Sequence, residues 1–225
     1  MNHDLFSFLP LFLKAAALTI WLSWLALMIG AVAGGFVALA RTSRWLPLRV
    51  LALLFVEFFR SIPILIVLFF AYFGLPVMFG VDISTFTAAT LALALHATAT
   101  MSEVMRAGIE SVGRGQWEAA QSSGMTFAQT MRHVVGPQAL KVVLPPSVGV
   151  YVTTLKESSL ASIIGYIELT KTGLLVREST GGSFAPLLLL GVLYFLINYG
   201  ISLAGGVLER RYNVGTKLVL AGGGL

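Results

Sequence analysis

The sequence predicts an all-α membrane protein with five transmembrane helices, and three observations carry that prediction. Only 25 of 225 residues are charged (15 Lys+Arg and 10 Asp+Glu), and 57% are hydrophobic. A soluble domain carries about 25% charged residues, so this chain lacks the charge to cover a globule in water. Five long apolar stretches match the span of a bilayer, about 20 residues each, and the basic residues gather at their ends. A soluble enzyme and an intrinsically disordered chain are both excluded. The absence of cysteine removes disulfides, thiolate metal sites and cysteine nucleophiles. The net charge of +5 does not point to nucleic acid, because the cations form no stripe with interleaved aromatics.

The stretches follow in order. Ala15 to Ala40 is 26 residues without a charge. Val50 to Val81 is interrupted by Glu57 and Arg60, with Pro63 expected to break or kink its helix. Ile83 to Ser102 is 20 uncharged residues, and Val142 to Ile167 is interrupted only by Lys156 and Glu157. Ser179 to Leu208 is 30 uncharged residues whose start belongs to a Gly-Gly-Ser-Phe-Ala-Pro loop. With no water to satisfy free backbone groups, such spans are helices. The first is not a cleaved leader, although Ala38-Leu39-Ala40 resembles a cleavage site. Its apolar run is too long, only Lys14 precedes it as a cation, and Arg41, Arg44 and Arg49 follow as a stop-transfer cluster. The whole chain, 1–225, reads as one domain, with the Gly222-Gly223-Gly224 tail expected to fray.

Cation asymmetry sets the orientation. One side holds Arg41, Arg44, Arg49, Arg106, Arg114, Arg132, Lys141, Arg210, Arg211 and Lys217, which is ten, and the other holds Lys14, Lys171 and Arg177, which is three. The amino terminus is therefore expected outside and the carboxyl terminus inside.

The inner insertion between spans three and four is the most informative stretch. Glu118, Ala119 and Ala120 favour helix, and Gly124 fits a helix stop. Thr126 reads as an N-cap, with Gln129 completing a capping box. A second short helix is expected from Phe127 to about Val135, ending at Gly136-Pro137. Trp117, Met125 and Phe127 place large apolar residues on this hairpin. Two readings stand: a docking element for a partner, or an interfacial pair with Trp117 and Phe127 in the headgroups.

Glu118-Ala119-Ala120, three residues, Gly124, then Pro137 thirteen positions on resembles the cytoplasmic loop of ABC importer permeases. That family usually closes with an aliphatic residue, any residue, Leu and Pro. Val134-Val135-Gly136-Pro137 departs at Gly136. Glu57-Phe58-Phe59-Arg60-Ser61-Ile62-Pro63, Arg106-Ala107-Gly108-Ile109, Arg114-Gly115-Gln116 and Leu155-Lys156-Glu157-Ser158-Ser159-Leu160 resemble the polar amino-acid (histidine/glutamine/glutamate-type) branch. The likeness runs from about residue 15 to 212.

The resemblance implies the type I importer permease fold, with a coupling loop at about 111–137, in a bacterial inner membrane. It implies that Glu118, Ala119, Ala120 and Gly124, flanked by Trp117 and Phe127, sit in a groove of a cytoplasmic ATPase subunit. It also implies a second permease copy or paralogue, an outer substrate-binding protein and surrounding lipid. No cofactor is expected in this chain, with ATP and Mg on the ATPase. The sequence agrees: a P-loop needs Gly-Lys before Ser or Thr, and none of the five lysines follows a glycine. Zinc hydrolysis and a serine nucleophile elbow likewise lack their motifs.

The intramembrane charges form the second constellation. Each centrally placed charge costs roughly 2.5–3.5 kcal/mol to insert, so Glu57, Arg60, Lys156 and Glu157 are expected to face the bundle interior or a water-filled path. On a functional reading, the helix broken at Pro63 exposes backbone groups that can hold a zwitterion, Arg60 meets a substrate carboxylate, and Glu57, Lys156 or Glu157 help line the path. Under a purely structural reading, Glu57 neutralises Arg60 on its own helix face and Lys156 or Glu157 pairs across helices. His96 is expected to hydrogen-bond between helices, and Glu103 to touch the coupling loop. The stripe Gly30-Ala31-Val32-Ala33-Gly34 suits either a dimer contact or internal packing. The expected activity is ATP-driven inward transport of a polar amino acid, leaning toward glutamate or aspartate on Phe59-Arg60-Ser61-Ile62-Pro63. The alternative is an ATP-independent carrier or channel for small zwitterions.

Overall fold

The computed structural model describes residues 5–212, and Lys217 and the glycine tail lie outside them. Every regular element among the described residues is helical. A short 3-10 turn leads into α1 (Leu9–Arg41), which is followed by α2 (Leu46–Ser61). Then come α3 (Ile64–Phe69), a π-helical turn (Phe70–Gly74), α4 (Leu75–Phe79) and α5 (Thr85–Glu110). The hairpin helices are α6 (Arg114–Ser122) and α7 (Phe127–Thr130). A second π-helical turn (Met131–Val135) joins α7 to α8 (Gly136–Glu157), and a 3-10 turn (Ser158–Ser162) precedes α9 (Leu169–Ser179) and α10 (Ala185–Tyr212).

α5 is the central helix and packs against α1, α2, α3 and α8. Its buried Ala88, Ala89, Ala92 and Ala94 meet Leu22 and Ala26 of α1 and Val67, Leu68 and Ala71 of the α3 segment. Small residues let the helix axes approach closely, which is how apolar helices associate without a hydrophobic drive in lipid. The glycine stripe serves this internal contact. A Cβ on Gly30 would lie 2.6 Å from Ala97 Cβ, and one on Gly34 would lie 2.9 Å from the Thr98 carbonyl oxygen. α1 and α10 are each long and apolar enough to cross a bilayer unbroken.

The second apolar stretch is broken where Pro63 stands. α2 and the α3–α4 segment meet at 101°. Pro63 has no N–H to continue the helix and forces its predecessor extended, and Ile62 indeed sits at φ −88°, ψ 132°.

Two expectations need correction. The fourth apolar stretch is not one helix, because α8 stops at Glu157, so Lys156 and Glu157 lie at a helix end rather than mid-helix. The reason is local. Ser158 and Ser159 hydroxyls donate to the carbonyls of Leu155 (2.8 Å) and Lys156 (2.7 Å), tightening the chain into 3-10 geometry, and Gly165 at φ +89° then turns it. Nor does the second hairpin helix end at Gly136-Pro137. The chain stays helical through a π turn straight into α8. Pro137 falls in the first turn of α8 directly after the π turn, so its missing N–H drops one bond from an otherwise continuous helix. Gly136 donates to the Met131 carbonyl, which a side chain there would strike.

Candidate functional site

The hairpin follows α5 directly. α6 ends in a Schellman motif: Met125 N–H reaches the Ala120 carbonyl (3.1 Å) and Gly124 N–H that of Gln121 (2.9 Å), with Gly124 at φ +75°. α7 opens with a complete capping box. Thr126 N–H donates to Gln129 Oε1 (2.8 Å) and Gln129 N–H to Thr126 Oγ1 (3.3 Å). The turn between the two helices is thus fixed at both ends. Trp117 and Phe127 stack at 6.1 Å and 25°. Gln138 Nε2 donates to Gln116 Oε1 (3.1 Å), tying α6 to the start of α8.

The predicted hairpin residues divide by exposure. Glu118, Ala119, Gly124 and Phe127 are exposed, Trp117 is half-buried, and Ala120 is buried. Ala120 therefore packs the hairpin against the protein, while Glu118 and Ala119 are exposed and Phe127 lines a groove shared with α1 and α2. Behind them Val112, Val135 and Ala139 make a small core with Ile109 and Met131.

The sequence-based pairings hold only in part, Glu157 being paired across helices as expected. Glu57 and Arg60 do not neutralise each other. Glu57 is exposed, and Arg60 Nη1 stands 3.7 Å from Glu103 Oε1 on α5. Glu103 also receives Arg41 from the end of α1 and Arg106 from its own helix (Nη2 to Oε2, 2.9 Å). It joins α1, α2 and α5, and no pair from it to the hairpin is found among the described residues; Arg106 also holds Glu110 at the end of α5 (2.6 Å). Glu103 lies just past the apolar stretch that ends at Ser102. Burial pushes its carboxyl up, but hydrogen bonds from Arg41 and Arg106 outweigh that and hold it below the ordinary glutamate range.

Glu157 meets His96 across the α5–α8 contact, with Nε2 3.5 Å from Oε1, while Lys156 is exposed. His96 Nδ1 is buried without a hydrogen-bond partner. The structure thus brings together Arg60 with Glu103 and Glu157 with His96, and leaves Glu57 and Lys156 outside those pairs.

Sequence reasoning missed Glu168, which is fully buried. It caps α9 by accepting from Thr170 N–H (2.9 Å) and Lys171 N–H (2.8 Å), and Tyr194 of α10 donates its hydroxyl at 3.0 Å. Thr19 of α1 accepts from the adjacent Leu169 N–H at 3.0 Å, so this knot binds α1, α9 and α10. The available cue was a lone glutamate immediately before a helical run.

Comparison with known proteins agrees with this geometry. Over 203 residues the chain is 35% identical to the probable amino-acid ABC transporter permease YckA of Bacillus subtilis, covering 90% of this chain and 89% of that one. Over 193 residues it is 37% identical to the probable glutamine ABC transporter permease GlnM of the same organism, covering 86% and 89%. A solved amino acid ABC transporter crystallised with histidines superposes at TM-score 0.85 with 37% identity, covering 94% of this chain and 100% of that one. The MetNI methionine transporter shares the fold at TM-score 0.78 and 21% identity. ATP hydrolysis in such transporters is the work of a separate ATPase subunit. Residues 26–214 match the binding-protein-dependent transport system inner membrane component family, and the chain belongs to it as an amino-acid ABC importer permease.

Proposed function

We propose that this permease spans the membrane five times, with α5 and α8 completing the set begun by α1, the bent α2–α4 segment and α10. Its amino terminus lies outside and its hairpin in the cytoplasm. Two such subunits, this chain paired with itself or a paralogue, form the pathway, and an outer binding protein delivers the substrate. The observation that carries this reading is the hairpin, capped at both ends of its turn and leaving Glu118 and Ala119 exposed for a partner. Such a rigid piece passes a push from an ATPase dimer to α5 and α8 with little loss. In this reading Arg60 meets a substrate carboxylate and Glu157 and Lys156 line the path, supported by the half-exposed Arg60 side chain beside the broken second span and by the end of α8 at Glu157. The cargo is a polar amino acid. Relatives named for glutamine favour the amide over the acidic side chains that the sequence suggested.

The test is uptake in proteoliposomes holding the permease, its ATPase and its binding protein. Gly124→Asp is expected to abolish ATP-driven uptake while the subunit still inserts. Uptake at the parental rate would refute the coupling role. The ligand that co-purifies with the binding protein identifies the cargo.

A further inference from the structure

We infer that the groove between the hairpin and the first two spans is a binding site for an anionic phospholipid of the leaflet on the hairpin side. The groove has a volume of about 1450 Å³, larger than the roughly 300–1,000 Å³ of a small-molecule pocket. Its walls include Phe36 and Leu39 near the end of α1, Leu51 of α2 and Ile109 of α5. Phe36 and Leu51 are 71% and 65% exposed. Phe36 and Leu39 close the apolar stretch 15–40 and Leu51 opens the stretch 50–81, so with these stretches as spans the groove lies where acyl chains meet headgroups. Its rim carries Arg44 and Arg114, both exposed. Among the described residues no carboxylate pairs with either arginine. The rim's carboxylate, Glu110, is already held by Arg106 at 2.6 Å. A groove with apolar walls and two unneutralised guanidinium groups at its mouth matches a molecule with acyl chains and a phosphate headgroup. Because Trp117, Met125 and Phe127 also line the groove, such a lipid would brace the hairpin from the side of α1 and α2, whichever amino acid is carried.

The experiment uses the complete transporter in detergent, titrated with phosphatidylglycerol or phosphatidylcholine and read by native mass spectrometry. Phosphatidylglycerol is expected to bind preferentially. Each juxtamembrane cation contributes about fivefold, so Arg44→Gln with Arg114→Gln weakens binding roughly 25-fold. Neutralising Arg132 and Lys141, two exposed cations outside the groove, leaves it unchanged. Leu51→Trp keeps both arginines, fills the apolar wall and also displaces the lipid. This supplies a second readout if the double variant does not fold. Equal binding of the two lipids, undiminished binding in the double variant or in Leu51→Trp, or full competition by inorganic phosphate overturns the proposal. So does a photo-crosslinker at position 51 that labels the ATPase instead of lipid.

Discussion

Arg41, the last residue of α1, donates to Glu103 of α5, 62 residues further along the chain. The two side chains are 11% and 20% exposed, so their charges interact with limited screening by water. Removing the carboxylate charge leaves Arg41 without its counter-ion. Glu103→Gln is therefore expected to lower stability by about 3–5 kcal/mol, measured by thermal unfolding of the purified permease in detergent. A variant that melts with the parent would show that the pair contributes nothing.

The same carboxylate predicts a pH dependence. Its folded-state pKa lies below the ordinary glutamate value, which is about 4.3. A depressed pKa contributes stability that is complete above the unfolded value and is lost as pH falls through the folded one. The parent should lose stability on acidification below about pH 4.3 more steeply than Glu103→Gln. Parallel acid-unfolding curves for the two proteins would count against the pairing.

Two neighbouring glycines of α1 offer a contrast. A Cβ at Gly34 would lie 2.9 Å from the Thr98 oxygen and 3.0 Å from Met101 Cβ, whereas one at Gly35 meets only Met105 Sδ at 3.4 Å. Gly34→Ala must push α1 off α5 and is expected to cost about 1–3 kcal/mol. Gly35→Ala meets a flexible thioether and gains helix propensity of up to about 1 kcal/mol. Equal melting temperatures for the two variants would mean that α1 and α5 do not approach at Gly34.

Much of the architecture is legible in the sequence where a residue's own backbone chemistry decides the outcome. Pro63 lacks an N–H, Gly124 accepts positive φ and Thr126 offers an oxygen to a free N–H, and each acts as its type requires. What escapes is pairing at a distance. Glu57 and Arg60 are three apart, yet Arg60 turns to Glu103 because the bent α2 lies beside α5. Gly136-Pro137 has the composition of a helix stop, but a π turn carries the helix across it with the loss of the Pro137 N–H bond. The serines after Glu157 are a local cue, and the apolar residues around them mask it. Of the candidate site, the hairpin is readable because its caps are local, and the charged path is not because its partners come from other helices.

Gly136 provides a direct test of the π turn. A side chain at this position meets the Met131 carbonyl, so Gly136→Leu, which restores the family's usual residue, forces the turn to rearrange. The expected cost is about 1–3 kcal/mol, with faster amide exchange between residues 131 and 136. Unchanged exchange would show that the turn accommodates a side chain as it stands.

The capping box makes the last prediction, and it concerns how the hairpin holds its shape. Thr126 satisfies the Gln129 N–H, and Gln129 returns the favour to Thr126, so two donors that α7 would otherwise leave unpaired are covered. Thr126→Ala removes one bond and strands that N–H, at a cost of about 1 kcal/mol. Because α7 has four residues and its Phe127, Ala128 and Gln129 are exposed, little packing compensates for the loss. The opening should stay local, raising amide exchange over residues 127–130 by about fivefold while α5 and α8 exchange as before. Ser123→Ala deletes a hydroxyl that donates only to the Ala119 carbonyl at 3.0 Å, outside the box, and should leave that exchange unaltered. If both variants loosen the hairpin equally, the cap is not what fixes it. If neither does, the turn is held by the Trp117–Phe127 stack and the Gln116–Gln138 bond instead.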